Sequence, residues 1–447
     1  MKSFKKILAL ALVLVLALAM FTGCSKKEEE VKEIRYLNFK PEIAEVYEEI
    51  AKEYEAQTGI KVIVETAANN EYESTLMSKM ATDEAPTLFQ INGPRGYLNW
   101  KDYCADLTNT ELYKHLTDKG LAVTVDGKAY GIPYVVEGYG IIYNNAIMDK
   151  YFALKDKGTD YKSMDEIVGF DALKAVVEDM QAHKAELGID GVFASTSLKT
   201  GEDWRWQTHL ANIPVYHEFT AGNVDLTSDA TKKIEFKYGE NFKNIFDLYI
   251  NNSTCAPGLL GSKDVSSSMA EFALGQCAMV QNGNWAWGQI SGVEGNVVKE
   301  EDCKFMPIYT GAAGEESQGL CIGTENYWSI NSNASEADIK ATIDFVNWMV
   351  SSAEGKAHMV NDLGNTAPFT TFTDDEKPSD PLAKSMLASM ESGKTSVSWV
   401  FTVFPSQAFK DDFGSALGEY CNGSMTWDDV VNTFVTRWAE EKAATAQ

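Results

Sequence analysis

Short apolar stretches alternate along this chain with longer segments whose apolar residues recur every three or four positions. Ile34 to Leu37 reads as a strand. Ile43, Val46, Tyr47, Ile50 and Tyr54 then share one face of a helix, which Gly59 stops. Lys61 to Glu65 alternates as a second strand, Glu73 to Met80 reads as a helix, and Thr87 to Ile91 as a third strand. Strands alternating with helices predict α/β layers with largely parallel sheets. Two later helices are marked by their caps. Ser335 with Asp338 precedes Ile339, Ile343, Val346 and Val350, and Thr426 with Asp429 precedes Val430, Phe434 and Trp438. These helices make Trp348, Trp427 and Trp438 core candidates.

One apolar run fits neither period. Ile7 to Met20 is unbroken, follows Lys2, Lys5 and Lys6, and ends in Phe21-Thr22-Gly23-Cys24. A charged start, a short apolar run and small residues at its end predict a secretory signal over residues 1–23. The run falls short of the about 20 residues that a membrane-spanning helix needs. The cysteine at the cleavage point resembles a bacterial lipobox, with Phe21 where leucine is usual. Cys24 is therefore the expected lipidation site, and residues 24–33, rich in Lys and Glu, the expected solvated tether. The rest is expected outside the cell, held to the bacterial membrane by that lipid alone.

Charge narrows the partners. The chain carries a formal −26, and loss of the three lysines of the signal takes it to −29. Such a surface repels phosphate backbones, which excludes nucleic acid, and disfavours anionic ligands unless a local basic pocket exists. A hydrophobic fraction of 45% supports large cores spread over two or three domain-sized units. The cysteines Cys104, Cys255, Cys277, Cys303, Cys321 and Cys421 show no C-x-x-C spacing, and a core of this size needs no staples, so mostly free buried thiols are expected.

Catalytic signatures fail in turn. The five histidines show no H-E-x-x-H and no other metal spacing, and no G-x-S-x-G occurs. Gly393-Lys394-Thr395 ends like a phosphate loop, but Ala388 stands at the first glycine; Gly138-Tyr139-Gly140 lacks the third glycine of a dinucleotide turn, since Tyr143 stands there. No enzyme, metal or cofactor is expected. Aromatics instead gather at segment ends with polar companions: Asn282-Gly283-Asn284-Trp285 after a strand, Trp204 and Trp206 around Arg205 near a helix start, and Tyr139, Trp328 and Trp399 elsewhere. Aromatic faces beside amides and carboxylates suit sugar recognition, because pyranose C–H faces pack on rings while hydroxyls bond planar polar groups. A core role competes for each of these tryptophans; Trp285, off any helix face, is the one read as ligand-facing.

Several segments then resemble one family in order along nearly the whole mature chain. Asp126-Gly127-Lys128-Ala129-Tyr130-Gly131-Ile132-Pro133 with Glu137 and Ile142-Tyr143-Asn144 resembles the hinge of bacterial extracellular solute-binding proteins of family 1, the carbohydrate receptors of ABC importers, which include maltose-binding protein. Gly275-Gln276-Cys277-Ala278-Met279 leading to Gly283-Asn284-Trp285 resembles its "G-x-x-A-M…G-x-W" block; Phe305-Met306-Pro307 and Gly364-Asn365-Thr366-Ala367-Pro368-Phe369 resemble its later crossovers.

The resemblance implies a two-lobed, type II periplasmic-binding-protein-like α/β fold with ligand in the cleft. Residues 34–135 and 309–363 would form one lobe, and 139–306 and 366–447 the other. It implies that Glu137 accepts sugar hydroxyls, that Trp285 and Trp399 stack on sugar, and that Asn38, Lys40, Asn92 and Arg95 contribute polar contacts from the loops after the first and third strands. No acidic residue stands at Asn38-Phe39-Lys40 or Asn92-Gly93, where maltose-binding protein uses aspartates, so a different oligosaccharide is implied. The expectation is a monomeric, lipid-anchored receptor that captures a carbohydrate by lobe closure and delivers it to a membrane permease. A receptor for a peptide or polyol, or a surface glycosidase, is the alternative; the glycosidase would need a second carboxyl beside Glu137.

Overall fold

The computed structural model describes residues 31, 33–67, 71–226 and 228–444. The expected signal, Cys24 and nearly all of the tether lie outside them. Among the described residues there are twelve strands, β1 (Ile34–Asn38), β2 (Val62–Thr66), β3 (Leu88–Asn92), β4 (Val123–Val125), β5 (Lys128–Pro133), β6 (Glu137–Asn144), β7 (Gly191–Phe193), β8 (Cys277–Gly283), β9 (Cys303–Met306), β10 (Gln318–Gly323), β11 (Asn326–Ile330) and β12 (Thr395–Ser398). They form two six-stranded sheets. One runs β2-β1-β3-β11-β5-β4; the other runs β12-β10-β6-β8-β7, with β9 also on β6.

Local signals shape the first layer as expected. The helix Ala44–Thr58 buries Tyr47, Ile50 and Tyr54 and ends where Gly59 adopts φ 76, a left-handed cap open to glycine. Asp126 and Gly127, both with positive φ, turn β4 into β5 as a two-residue hairpin. Ser335 accepts a hydrogen bond from the Asp338 backbone N–H at 3.1 Å and opens the helix Glu336–Ser351. Thr426 caps Trp427–Ala444 in the same way, and Val430, Phe434 and Trp438 of that helix are fully buried.

The sheets are mixed rather than largely parallel. β1 pairs in parallel with β2 and β3, but β11 enters antiparallel between β3 and β5, and β6 runs antiparallel to β8, β9 and β10. The cause is the path of the chain: each crossing brings a strand into its sheet from the opposite end. β6 is buried along all eight residues, as a strand packed on both faces must be.

Three segments cross between the lobes. The first joins β5 to β6, the second is Thr324-Glu325 between β10 and β11, and the third follows Phe369. The N–H of Val136 donates to the Thr366 carbonyl at 2.8 Å, tying the first crossing to the segment before the third. Two expected boundaries move. Residues 309–323 belong with the second sheet, because β10 pairs with β6 and β12, and Phe369 packs in the first lobe's core. Each lobe has its own core: Ile34, Tyr47, Trp328 and Phe345 in the first, and Tyr139, Trp206, Phe246 and Trp438 in the second. All six described cysteines are unpaired, and burial pushes Cys104 up to about 11 and Cys303, Cys321 and Cys421 up to about 12. No helix among the described residues is long and apolar enough to cross a membrane.

Candidate functional site

Both lobes and two of the crossings meet around a cavity of about 420 Å³. The first lobe contributes Phe39, Lys40 and Glu42 after β1, and Asn92 at the end of β3. The second contributes Trp204, Arg205, Thr208 and His209, then Trp285 after β8, and Gln407 and Lys410 from the helix Gln407–Cys421. Glu137 and Glu325 come from the first and second crossings.

Strand ends and helix starts do the positioning. Residues 205–210 form a π-helical turn that leads into the helix Ala211–Ala221, and this wide turn presents Arg205, Thr208 and His209 to the cavity together. Asp203, just before it, accepts from the Gln207 amide at 2.8 Å. A Cβ at Gly414 would lie 1.9 Å from the Asp203 carboxylate, so only glycine lets this helix approach and bring Lys410, one turn earlier, to the cavity wall. Burial pushes the Asp203 carboxyl up to about 6.

Trp285 is half-buried and sits where Gly283 leaves room: a Cβ there would come within 2.2 Å of the indole. Gly323 opens the same space for Trp399, with a built Cβ 2.5 Å from the indole Cγ. Trp399 is edge-on to Trp285, with ring centres 6.5 Å apart, and Tyr139 stacks on His209 at 4.6 Å. These rings form one aromatic wall. His209 is held neutral, because burial and the neighbouring Arg205 charge lower its pKa well below the ordinary value.

Charges cover the floor. Lys40 and Glu137 form a buried ion pair. Glu325 accepts from the Asn92 amide at 3.5 Å, and burial together with the Glu137 charge pushes it up to about 7. The Arg205 guanidinium lies 4.9 Å from the Trp204 ring centre and 5.4 Å from that of Trp285, within range of cation–π attraction.

Of the residues singled out in the sequence, Lys40, Asn92, Glu137, Trp204 and Trp285 line this cavity. Others lie behind it. Asn38 is fully buried and shapes the Lys40 loop, donating from its amide to the Lys40 carbonyl at 2.6 Å. The Tyr139 hydroxyl donates to the His209 carbonyl at 2.8 Å, so Tyr139 backs the wall. Trp399, 5% exposed, backs it too. Two tryptophans are core residues. Trp206 donates to the carbonyls of Thr196 and Ser197 at 2.8 Å and packs edge-on to Phe246; Trp328 stacks on Tyr134 at 4.7 Å inside the first lobe. Arg95 lies on the helix Gly93–Trp100 outside the cavity lining.

Arg205, His209, Glu325, Gln407 and Lys410 escaped the sequence reading. Only Arg205, bracketed by Trp204 and Trp206, carried a local signal. A second cavity of about 610 Å³ adjoins the first and shares Lys40, Glu42, Glu137, Trp285 and Gln289 with it, so Trp285 stands between the two. Away from the cleft, Asp156, His183 and Glu186 place ligand atoms within 4.8 Å of one another on the surface; they are the group among the described residues whose spacing suits a metal ion.

A family model described as bacterial extracellular solute-binding protein matches residues 49–385. The chain belongs to that family. Solved structures agree on the fold. A chitin oligosaccharide binding protein aligns with TM-score 0.70 at 19% identity, over 93% of this chain and 100% of its own. The binding protein RafE in complex with raffinose gives TM-score 0.70 at 19% identity, over 92% and 100%. A Bacillus licheniformis sugar transporter protein in complex with stachyose gives TM-score 0.66 at 16% identity, over 92% and 100%. At these identities the likeness is one of architecture. This solute-binding protein thus has the two α/β lobes and the intervening cleft of that class.

Proposed function

We propose that this protein is the extracytoplasmic receptor of an ABC importer and that it captures an oligosaccharide. The observation that carries the reading is the cleft wall: Trp285 stands between two adjoining cavities, with amides, carboxylates and cations from both lobes around it. A ligand bridging Lys40 and Asn92 of one lobe to Arg205 and Trp285 of the other favours the closed state, because neither lobe holds a complete site. Two cavities on either side of one indole suit a chain of sugar rings rather than a single one. Chitin oligosaccharide, raffinose and stachyose, named with the similar structures, are of this chemical class. The monomeric receptor would be tethered by a lipid on Cys24 and release its sugar to the membrane permease.

The test is a thermal-shift panel of mono-, di- and trisaccharides, polyols and peptides. A ligand at 100 times its Kd adds about 2.7 kcal/mol of stability. A response confined to peptides or polyols, or to nothing, would overturn the reading. A second reading, a surface glycosidase, draws on Glu137 and Glu325 meeting in the cleft, with Glu325 pushed up to about 7 in the manner of a general acid. Release of shorter sugars on incubation with the panel oligosaccharides would favour it.

A further inference from the structure

The charges of the main cavity do not balance locally. Its lining holds the cations Lys40, Arg205 and Lys410 and the carboxylates Glu42, Glu137, Glu202 and Glu325. Lys40 and Glu137 neutralise each other. Glu202 is engaged elsewhere, accepting from the Val265 N–H at 3.0 Å and lying 3.6 Å from Lys199. Glu42 is exposed at the mouth. Glu325, pushed up to about 7, carries only part of a charge at neutral pH. Arg205 and Lys410 have no carboxylate among the described residues within 4.0 Å; Glu42, Glu325, Glu137 and Glu202 act on Arg205, and Glu325, Glu73 and Asp411 on Lys410, only from longer range.

Arg205 is the sharper anomaly. It is 3% exposed, and its Nε is buried without a hydrogen-bond partner. Burial lowers its pKa only to about 10, so it stays protonated at pH 7. A desolvated cation with no carboxylate in contact is costly, and long-range carboxylates offset that cost less than a paired one would. The guanidinium lies over the ring faces of Trp204 and Trp285, and its Nε–H is left without an acceptor. A planar carboxylate is the acceptor to which such a fork donates paired hydrogen bonds.

We propose that the saccharide bound here carries a ring carboxylate, received by Arg205 with Lys410 beside it. The ligand class is an acidic oligosaccharide built from uronic acids. This inference rests on the carbohydrate-receptor reading and narrows it. The formal charge of −26 disfavours anions over most of the surface, so the two cations Arg205 and Lys410 would make the choice of an acidic ligand selective.

The experiment titrates the purified protein calorimetrically with oligomers of galacturonate, glucuronate, mannuronate and guluronate, each against its neutral counterpart, at low and moderate NaCl. At least one uronate oligomer should bind tenfold or more tightly than its neutral counterpart, with an affinity that weakens as salt rises. Arg205→Gln should weaken that acid about 10- to 100-fold, the range for a hydrogen bond to a charged group, and should weaken the neutral sugar less. If Arg205→Gln fails to fold, Lys410→Gln on the neighbouring helix should show the same preference at smaller size. Neutral oligosaccharides binding as well as the acids would overturn the inference and leave the receptor reading standing. Acid binding untouched by both substitutions would overturn it as well. Binding to neither set would remove the receptor reading and this inference together.

Discussion

Replacing Trp285 by alanine is the most informative single perturbation. The indole is half-buried, lines both cavities, and is cornered by the Gly283 backbone, His209 at 5.5 Å and Trp399 at 6.5 Å between ring centres. One indole face covered by a sugar ring removes about 80–100 Å² of apolar surface from water, roughly 2–2.5 kcal/mol at about 25 cal/mol per Å². At about 1.4 kcal/mol per tenfold, Trp285→Ala should weaken oligosaccharide binding roughly 30- to 60-fold. The folded state should lose less than the about 3–5 kcal/mol typical of a truncated core tryptophan, because part of the ring already faces the cleft. Calorimetric titration of the variant, run beside its apo melting curve, separates the two roles. A collapsed melting temperature with normal binding by the residual folded protein would refute the stacking argument and make Trp285 a core residue.

Other substitutions probe the same account from different sides. Gly283→Ala places a Cβ within 2.2 Å of the Trp285 indole, so it should turn the ring aside and weaken binding at least about tenfold with the tryptophan still present; unchanged affinity in the same titration would contradict that. Glu325 titrates near 7 in the folded chain against an ordinary 4.5, so between those values the folded state holds a proton that the unfolded state releases, and its contribution to stability falls as pH rises through that window. Above pH 7 the penalty is roughly 3 kcal/mol, and Glu325→Gln should raise the melting temperature at pH 8 with a gain that disappears near pH 4.5; an equal shift at both pH values would refute the sign. Cys24→Ser should release the protein from the membrane with ligand affinity unchanged, checked by fractionation and by the mass of the N-terminal peptide, where an unmodified cysteine in the wild type would contradict the anchor.

The sequence carried the parts of this molecule that are local. Gly59, Ser335 and Thr426 mark helix ends by short-range chemistry, and each strand of the first layer is bounded by turn residues, so those elements could be placed from composition and period. What a side chain faces is decided at longer range. Trp204 and Trp206 stand two positions apart on a helical turn and so point in nearly opposite directions, one into the cleft and one against Phe246. Trp285 follows Asn284 and Trp328 follows Asn326-Tyr327, yet Trp328 pairs with Ile132 in mid-sheet while Trp285 lies beyond the end of β8. Lys410 reaches the cavity only because Gly414 lets its helix close on Asp203, and Glu325 meets Glu137 only because two crossings run side by side. Neither fact has a signature within a few residues of chain. The antiparallel entry of β6 and β11 was hidden for the same reason, since it follows from the crossings and not from the strands themselves.

Saccharide capture in the cleft is tested most directly by calorimetric titration of the intact protein with neutral and acidic oligosaccharides, measured at several temperatures. Saturable one-to-one binding with a negative heat-capacity change, as apolar surface of the aromatic wall is covered, is the predicted result, and it should be lost or strongly weakened in Trp285→Ala. Absence of saturable heat from every oligosaccharide at millimolar concentration, with a peptide or polyol binding in their place, would contradict the account.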